Sequence, residues 1–258
     1  MQKVMPRCYL LMIYSLLYIP IIVLILYSMN NAKFSLIWHG FSIRWYQELL
    51  HDQALWLAFF NSIFLGISAA TCATLIGIFA CINLFLNRNA HYKPVFQSLI
   101  LMLIILPDLV LGVALLIFFN ITHIELGFFS LLIAHITFCL PFVVLTIQSR
   151  IHTLDVKIYD SALDLGATKR MALHKIILPI LYPAILSAFL LAFTLSFDDV
   201  MISYFVAGPE FSILPLRIYS LVRAGVTPEL NALCSVVLFI SILIVGLSYH
   251  LSRRSACN

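Results

Sequence analysis

Six runs of mostly apolar residues, at 9–28, 57–85, 95–119, 127–148, 183–207 and 230–250, decide what this chain can become. Each is long enough to cross a bilayer, which takes roughly 20 apolar residues in a helix. Inside hydrocarbon a backbone must satisfy its own hydrogen bonds, so such runs are read as spanning helices. The 258 residues are 63% hydrophobic and 10% charged, against about 25% charged in an average soluble domain. The predicted fold class is all-α, a polytopic membrane protein with six transmembrane helices in one domain over 1–258. The first run follows Lys3 and Arg7 but is too long for a typical secretion-signal core. No clear small-x-small cleavage site follows it, so it is read as an uncleaved span.

Orientation follows from the Lys and Arg residues flanking the runs. Eleven lie at the N-terminus, the 86–94 loop, the 149–182 segment and the C-terminus; four (Lys33, Arg44, Arg217, Arg223) lie on the other side. Both termini and the long polar segment are therefore predicted to be cytoplasmic, and 29–56 and 208–229 to be the large outer loops. The net charge of +4 comes from residues clustered at span ends, which gives no reason to expect nucleic acid. The six cysteines are scattered, none is in a CxxC, and no Cys/His cluster has metal spacing.

The segment 150–183 breaks the apolar pattern and carries five of the fifteen Lys and Arg residues. Asp155 is placed to cap a helix running to about Asp164. Leu154, Ile158, Ala162 and Leu165 share one face at helical spacing. Gly166 stands where a left-handed helix terminus is expected. Thr168 is placed to cap a second helix that continues through Leu173, Ile176 and Ile177 to Pro179. A polar helix–turn–helix of this size suits docking into a groove on another protein.

Asp160-Ser161-Ala162, Gly166 four residues on, and Ile176, Leu178 and Pro179 after a nine-residue gap resemble a signature of ABC-importer permeases of the binding-protein-dependent kind. That signature reads Glu-Ala-Ala-x3-Gly-x9-Ile-x-Leu-Pro; here Asp replaces Glu and Ser replaces one Ala. The likeness extends over most of the chain. FTLSFDDVMISYFVAGP and ILPLRIYSLVRAGVTPELNAL look like the spermidine/putrescine branch of the family. The resemblance implies a type I (MetI-like) permease in the bacterial inner membrane, forming half of a translocation path. It implies that Asp160, Ser161, Ala162, Gly166, Ile176, Leu178 and Pro179 couple to a separate ATPase. Implied partners are a second permease chain (PotB-like), an ATPase homodimer (PotA-like) and a periplasmic polyamine-binding protein (PotD-like), besides membrane lipid. ATP and Mg would sit on the ATPase, with no cofactor or metal on this chain. In the family, outer loops like 208–229 dock the binding protein; a plain connection is the other reading.

Three carboxylates, Asp108, Asp198 and Asp199, lie inside predicted spans, where no Lys or Arg neutralises them. An ionised residue there costs at least about 2.5–3.5 kcal/mol, and such residues usually face a bundle interior or a watery path. Counted along straight helices, Asp108 and Asp198 stand roughly 20 and 22 Å from the inner surface. They are expected to form an acidic ring on a cation path. Adjacent helix positions point about 100° apart, so only one of Asp198 and Asp199 looks into the path. The other is left to cap a helix break or meet another subunit. The competing reading makes all three hydrogen-bonded structural acids, with Pro107 freeing a carbonyl beside Asp108. Phe197 and Tyr204 are candidates for cation–π contact with ammonium groups or for plain packing. His135 reads as a hydrogen-bonded packing residue, and Pro20 and Pro141 as kinks.

Nothing in the sequence signals catalysis: there is no Walker A loop, no His-Glu-x-x-His and no Gly-x-Ser-x-Gly. The expected function is an ATP-driven importer's permease subunit for polyamines. One alternative keeps the family and changes the solute. Another is an ion-coupled secondary transporter, which predicts inverted repeats and leaves the 150–183 segment unexplained.

Overall fold

The computed structural model describes residues 4–32, 37–87, 91–155, 157–225 and 228–239. All the regular elements among them are helical. They are α1 (Val4–Tyr27), α2 (Arg44–His51), α3 (Gln53–Leu86), α4 (Lys93–Ile105), α5 (Asp108–Ile121), α6 (Phe128–His152), α7 (Lys157–Asp164), α8 (Lys169–Ala172), α9 (Leu178–Asp198), α10 (Met201–Val206), α11 (Leu214–Ala224) and α12 (Pro228–Phe239). Four stretches are long and apolar enough to cross a membrane: Tyr9–Tyr27, Gln53–Leu86, Phe128–His152 and Lys169–Asp198. A fifth span is supplied if α4 and α5 count as one broken element. The sixth predicted run, 230–250, lies outside the described residues beyond 239.

The chain divides into two compact units, Met1–Trp56 with Arg217–Asn258, and Leu57–Leu216. In the first unit a polar knot follows α1. The Asn30 side chain accepts from the His39 amide (2.9 Å) and donates to the Ile37 carbonyl (2.9 Å). The Trp45 indole donates to the Asn30 carbonyl (2.8 Å), seating α2 against the same residue.

The second unit is built on α6 against α9, with α3 alongside. Its core is rich in small residues, including Ala70, Ala73, Cys139, Ala188 and Ala192. Small side chains let helix backbones approach closely where apolar solvent gives little drive for association. A second core, Leu65, Leu111, Phe119, Leu131, Ile202 and Val206, joins α5 to α10. The two helices approach closely at Gly112. A Cβ there would stand 2.9 Å from the Phe205 ring and 3.2 Å from the Ile202 Cα. Gly112→Leu is therefore expected to separate α5 from α10 at a cost of about 1–3 kcal/mol. A thermal-melting scan of purified protein would read this as a lowered midpoint, and an unchanged midpoint would contradict the close approach.

Two predicted spans are corrected. The 95–119 run is not one straight helix: α4 and α5 meet at 107° across Leu106 and Pro107. Pro107 has no amide proton, and Leu106 before it is extended (ψ 130), as residues preceding proline tend to be. The straight-helix height assigned to Asp108 therefore does not apply. The helix expected from 183 instead begins at Lys169 and ends at Asp198, with Pro183 accommodated inside it. The outer segments read as loops also contain α2 and α11.

Candidate functional site

The first site region is the 150–183 segment. The Asp155 side chain accepts from the Lys157 amide (2.9 Å), opening α7. Gly166 takes φ +88, a conformation side-chain-bearing residues avoid. The Ala167 amide then returns to the Ala162 carbonyl (3.0 Å) and Gly166 to Leu163 (2.9 Å), a paired closure of the helix end. The Thr168 hydroxyl accepts from the Met171 amide (3.3 Å) and opens α8. A π-turn over Leu173–Ile177 then leads into α9. Pro179, the second residue of α9, has no amide to return to Lys175, and the widened turn accommodates that loss.

The packed face keeps Leu154 and Ala162 of the predicted one and replaces Ile158 and Leu165 with Tyr159. Tyr159 and Ala162 point inward, joined by Phe85, Ala172, Ile177 and Leu181. The Phe85 and Tyr159 rings meet edge to face at 5.5 Å. Ile158 and Leu165 stand 43% and 89% exposed. The end of α3 supplies Phe85 as the inner partner, and that choice brings Tyr159 inward in place of Ile158 and Leu165. Of the motif residues, Asp160, Ser161, Gly166 and Pro179 are exposed, Ile176 and Leu178 are half-buried, and Ala162 is buried.

The second region is the pair of helix breaks. Asp108 is the first residue of α5 and is exposed. Asp198, the last residue of α9, is exposed; Asp199 is 8% exposed. Asp199 caps α10: its carboxylate accepts from the Ile202 amide (3.3 Å), the Ser203 amide (2.8 Å) and the Ser203 hydroxyl (2.8 Å). The adjacent acids thus have divided environments. Gly112, one turn beyond Asp108, rests on Met201 to Phe205, only three residues after Asp198. This packing brings the start of α5 beside the α9–α10 break. Tyr204 is exposed on α10. Phe197 is engaged by neighbouring rings, stacked on Phe193 (5.7 Å) and edge-on to Phe59 (6.4 Å).

His135 extends the capped break into α6. Its Nδ1 lies 2.6 Å from Ser196 Oγ and its Nε2 2.9 Å from Ser203 Oγ, with all three residues buried. Ser203 spends its proton on Asp199 and so accepts from His135 Nε2–H. Nδ1 then accepts from Ser196. Sequence reasoning read His135 as a hydrogen-bonded packing residue, which it is, but omitted both serines. The available signal was their spacing: Ser196 and Ser203 are seven residues apart, one on either side of the Asp198-Asp199 pair.

Broken apolar helices, carboxylates at the breaks and a capped helix–turn–helix beyond them define a helical membrane permease. The chain belongs to the family described as binding-protein-dependent transport system inner membrane component, which matches residues 73–255. It is a transporter subunit and not an enzyme. Over 241 residues it is 44% identical to the spermidine/putrescine transport system permease protein PotC of Escherichia coli K12, covering 93% of this chain and 91% of that protein. The Haemophilus influenzae PotC is 43% identical over 249 residues, covering 96% of each. The putrescine transport system permease protein PotI of Escherichia coli K12 is 37% identical, covering 95% of this chain and 90% of PotI. The fold matches the crystal structure of a bacterial ABC transporter involved in import of the acidic polysaccharide alginate. There the TM-score is 0.75 at 15% identity, over 96% of this chain and 95% of that one.

Proposed function

We propose that this chain is one transmembrane half of an ATP-driven polyamine importer in the bacterial inner membrane. The observation that carries the solute class is its 44% identity, over 93% of its length, to a spermidine/putrescine permease. The fold alone does not choose a solute, since a structural relative serves alginate import. The chemistry agrees with a polycation: Asp108 and Asp198 are exposed carboxylates at two helix breaks, and Tyr204 is an exposed ring on α10. In this reading Asp108 and Asp198 line the path, while Asp199 acts from behind by holding the break.

The α7–Gly166–α8 device is the coupling contact, and Asp160, Ser161, Ala162, Gly166, Ile176, Leu178 and Pro179 form or support it. Both termini and this device face the cytoplasm, as the Lys/Arg asymmetry favours. The partners are a PotB-like permease, a PotA-like ATPase dimer carrying ATP and Mg, and a PotD-like binding protein. ATP binding would close the ATPase dimer, draw the coupling segments together and open the path outward to the loaded binding protein.

Uptake of radiolabelled spermidine and putrescine tests the solute, in cells lacking polyamine import and supplied with the whole system. The expected result is uptake that requires this chain and is competed by unlabelled polyamine but not by thiamine. Uptake of thiamine or ferric iron with none of either polyamine would replace the solute and leave the family standing.

A further inference from the structure

One ring on α6 holds the α9–α10 break from both sides. His135 is fully buried. Its Nδ1 meets the hydroxyl of Ser196, two residues before Asp198, at 2.6 Å. Its Nε2 meets the hydroxyl of Ser203, four residues after Asp199, at 2.9 Å. Each proton in the chain has an acceptor: Ser196 donates to Nδ1, Nε2 donates to Ser203, and Ser203 donates to Asp199 at 2.8 Å. The direct approach of Nε2 to Asp199, at 3.7 Å, is too long for a hydrogen bond. An imidazole is planar, and its two nitrogens point in fixed, diverging directions. The two bonds therefore set both the separation and the angle of the two serines.

Two further bonds make α6 the frame for this region. The Ser130 hydroxyl meets the Val206 carbonyl at the end of α10 (2.7 Å), and the Cys139 thiol meets the Ala192 carbonyl of α9 (3.4 Å). The first holds α10 alone, and the second holds α9 alone. Of the three, His135 is the one that reaches both sides of the break. Asp198, the last residue of α9, lies between the two serines in the chain and is exposed. The backbone that carries this acid is thus fixed on either side by one side chain that is itself buried.

We propose that His135 is a positioning residue for transport. It sets the geometry of the α9–α10 break, and through it the place of Asp198 in the path, without touching the solute. This role rests on the path-lining position proposed above for Asp198. Asparagine sets its amide near the place of Nδ1, and glutamine near that of Nε2. His135→Asn therefore keeps the Ser196 bond and gives up Ser203, while His135→Gln does the reverse. Both leave the Ser203 proton on Asp199, so both variants should reach the membrane.

The test measures concentration-dependent spermidine uptake by the complete transporter in proteoliposomes, with membrane abundance and melting followed in parallel. Loss of one bond from the tie should raise the apparent KM about threefold to tenfold in each variant, with kcat per folded transporter close to native. In an Asp198→Asn background neither substitution should raise KM further, because the acid that the ring positions has been neutralised and the two effects share one route. A lower melting midpoint with native KM in the surviving protein would overturn the positioning role and leave His135 to packing. Absence of both variants from the membrane would overturn it too, by assigning the ring to folding. So would effects of His135→Gln and Asp198→Asn on KM that simply multiply, a result that keeps Asp198 in the path. A native KM in Asp198→Asn alone would remove that acid from the path and the positioning role with it, and this is read without any His135 variant.

Discussion

Gly166→Val is expected to cut polyamine uptake by about tenfold or more while leaving the spans folded. A β-branched residue at φ +88 meets backbone strain of about 1–3 kcal/mol, and every 1.4 kcal/mol is about tenfold in an equilibrium. No atom lies within 4 Å of the position a Cβ would take, so the strain is confined to the turn and causes no clash elsewhere. Its relief moves Gly166 to negative φ and dissolves the paired closure from Ala167 to Ala162 and Gly166 to Leu163. The first turn of α8 then no longer follows α7 at a fixed angle. Gly166→Asn is the matched control, because asparagine tolerates the left-handed region better than most residues. Uptake and ATP hydrolysis should be measured together in proteoliposomes holding the complete transporter. The valine variant should hydrolyse ATP without matching uptake, and the asparagine variant should retain much of its coupling. Normal uptake by the valine variant would remove the turn from the coupling contact.

The neighbouring acids Asp198 and Asp199 should give opposite phenotypes. Asp199→Ala strips the acceptor from two amides and one hydroxyl in a buried site. Unsatisfied groups of this kind cost about 1–3 kcal/mol each, and Ser203 and His135 are left in a severed network. The expected result is a sharp loss of folded protein and a lower melting midpoint, with Asp199→Asn milder because it keeps an acceptor. Asp198 is exposed at the end of α9. Asp198→Asn should leave the amount and melting of the protein unchanged and raise the apparent KM for spermidine about tenfold, as loss of one charge-assisted contact implies. Membrane abundance, melting and concentration-dependent uptake separate the two. An unchanged KM in Asp198→Asn would remove that acid from the path, and normal stability of Asp199→Ala would contradict the cap.

Class and the helix–turn–helix geometry of 150–183 were legible because they rest on local chemistry. Apolar runs require membrane helices, and Asp155, Gly166 and Thr168 act within a few residues of themselves. The parts that were not legible depend on distant partners. Pro107 is visible in the sequence, but a 107° turn reflects how α4 and α5 settle on their neighbours. Ile158 and Leu165 fit a helical face as well as Tyr159 does, and only Phe85, more than seventy residues earlier, decides between them. His135 sits in an apolar run, and its two serine partners lie 61 and 68 residues away.

The helix from Lys169 to Asp198 runs thirty residues, about 45 Å at 1.5 Å per residue. It starts three residues after the turn at Gly166 and ends at the residue before the capping Asp199. No loop interrupts it, so the turn and the break stand at the two ends of one helical stretch. Its π-turn at Leu173–Ile177 lies close to the end nearest Gly166. In the coupling role proposed above, the turn near Thr168 and the acid at Asp198 would be joined by one continuous helix rather than by a loop.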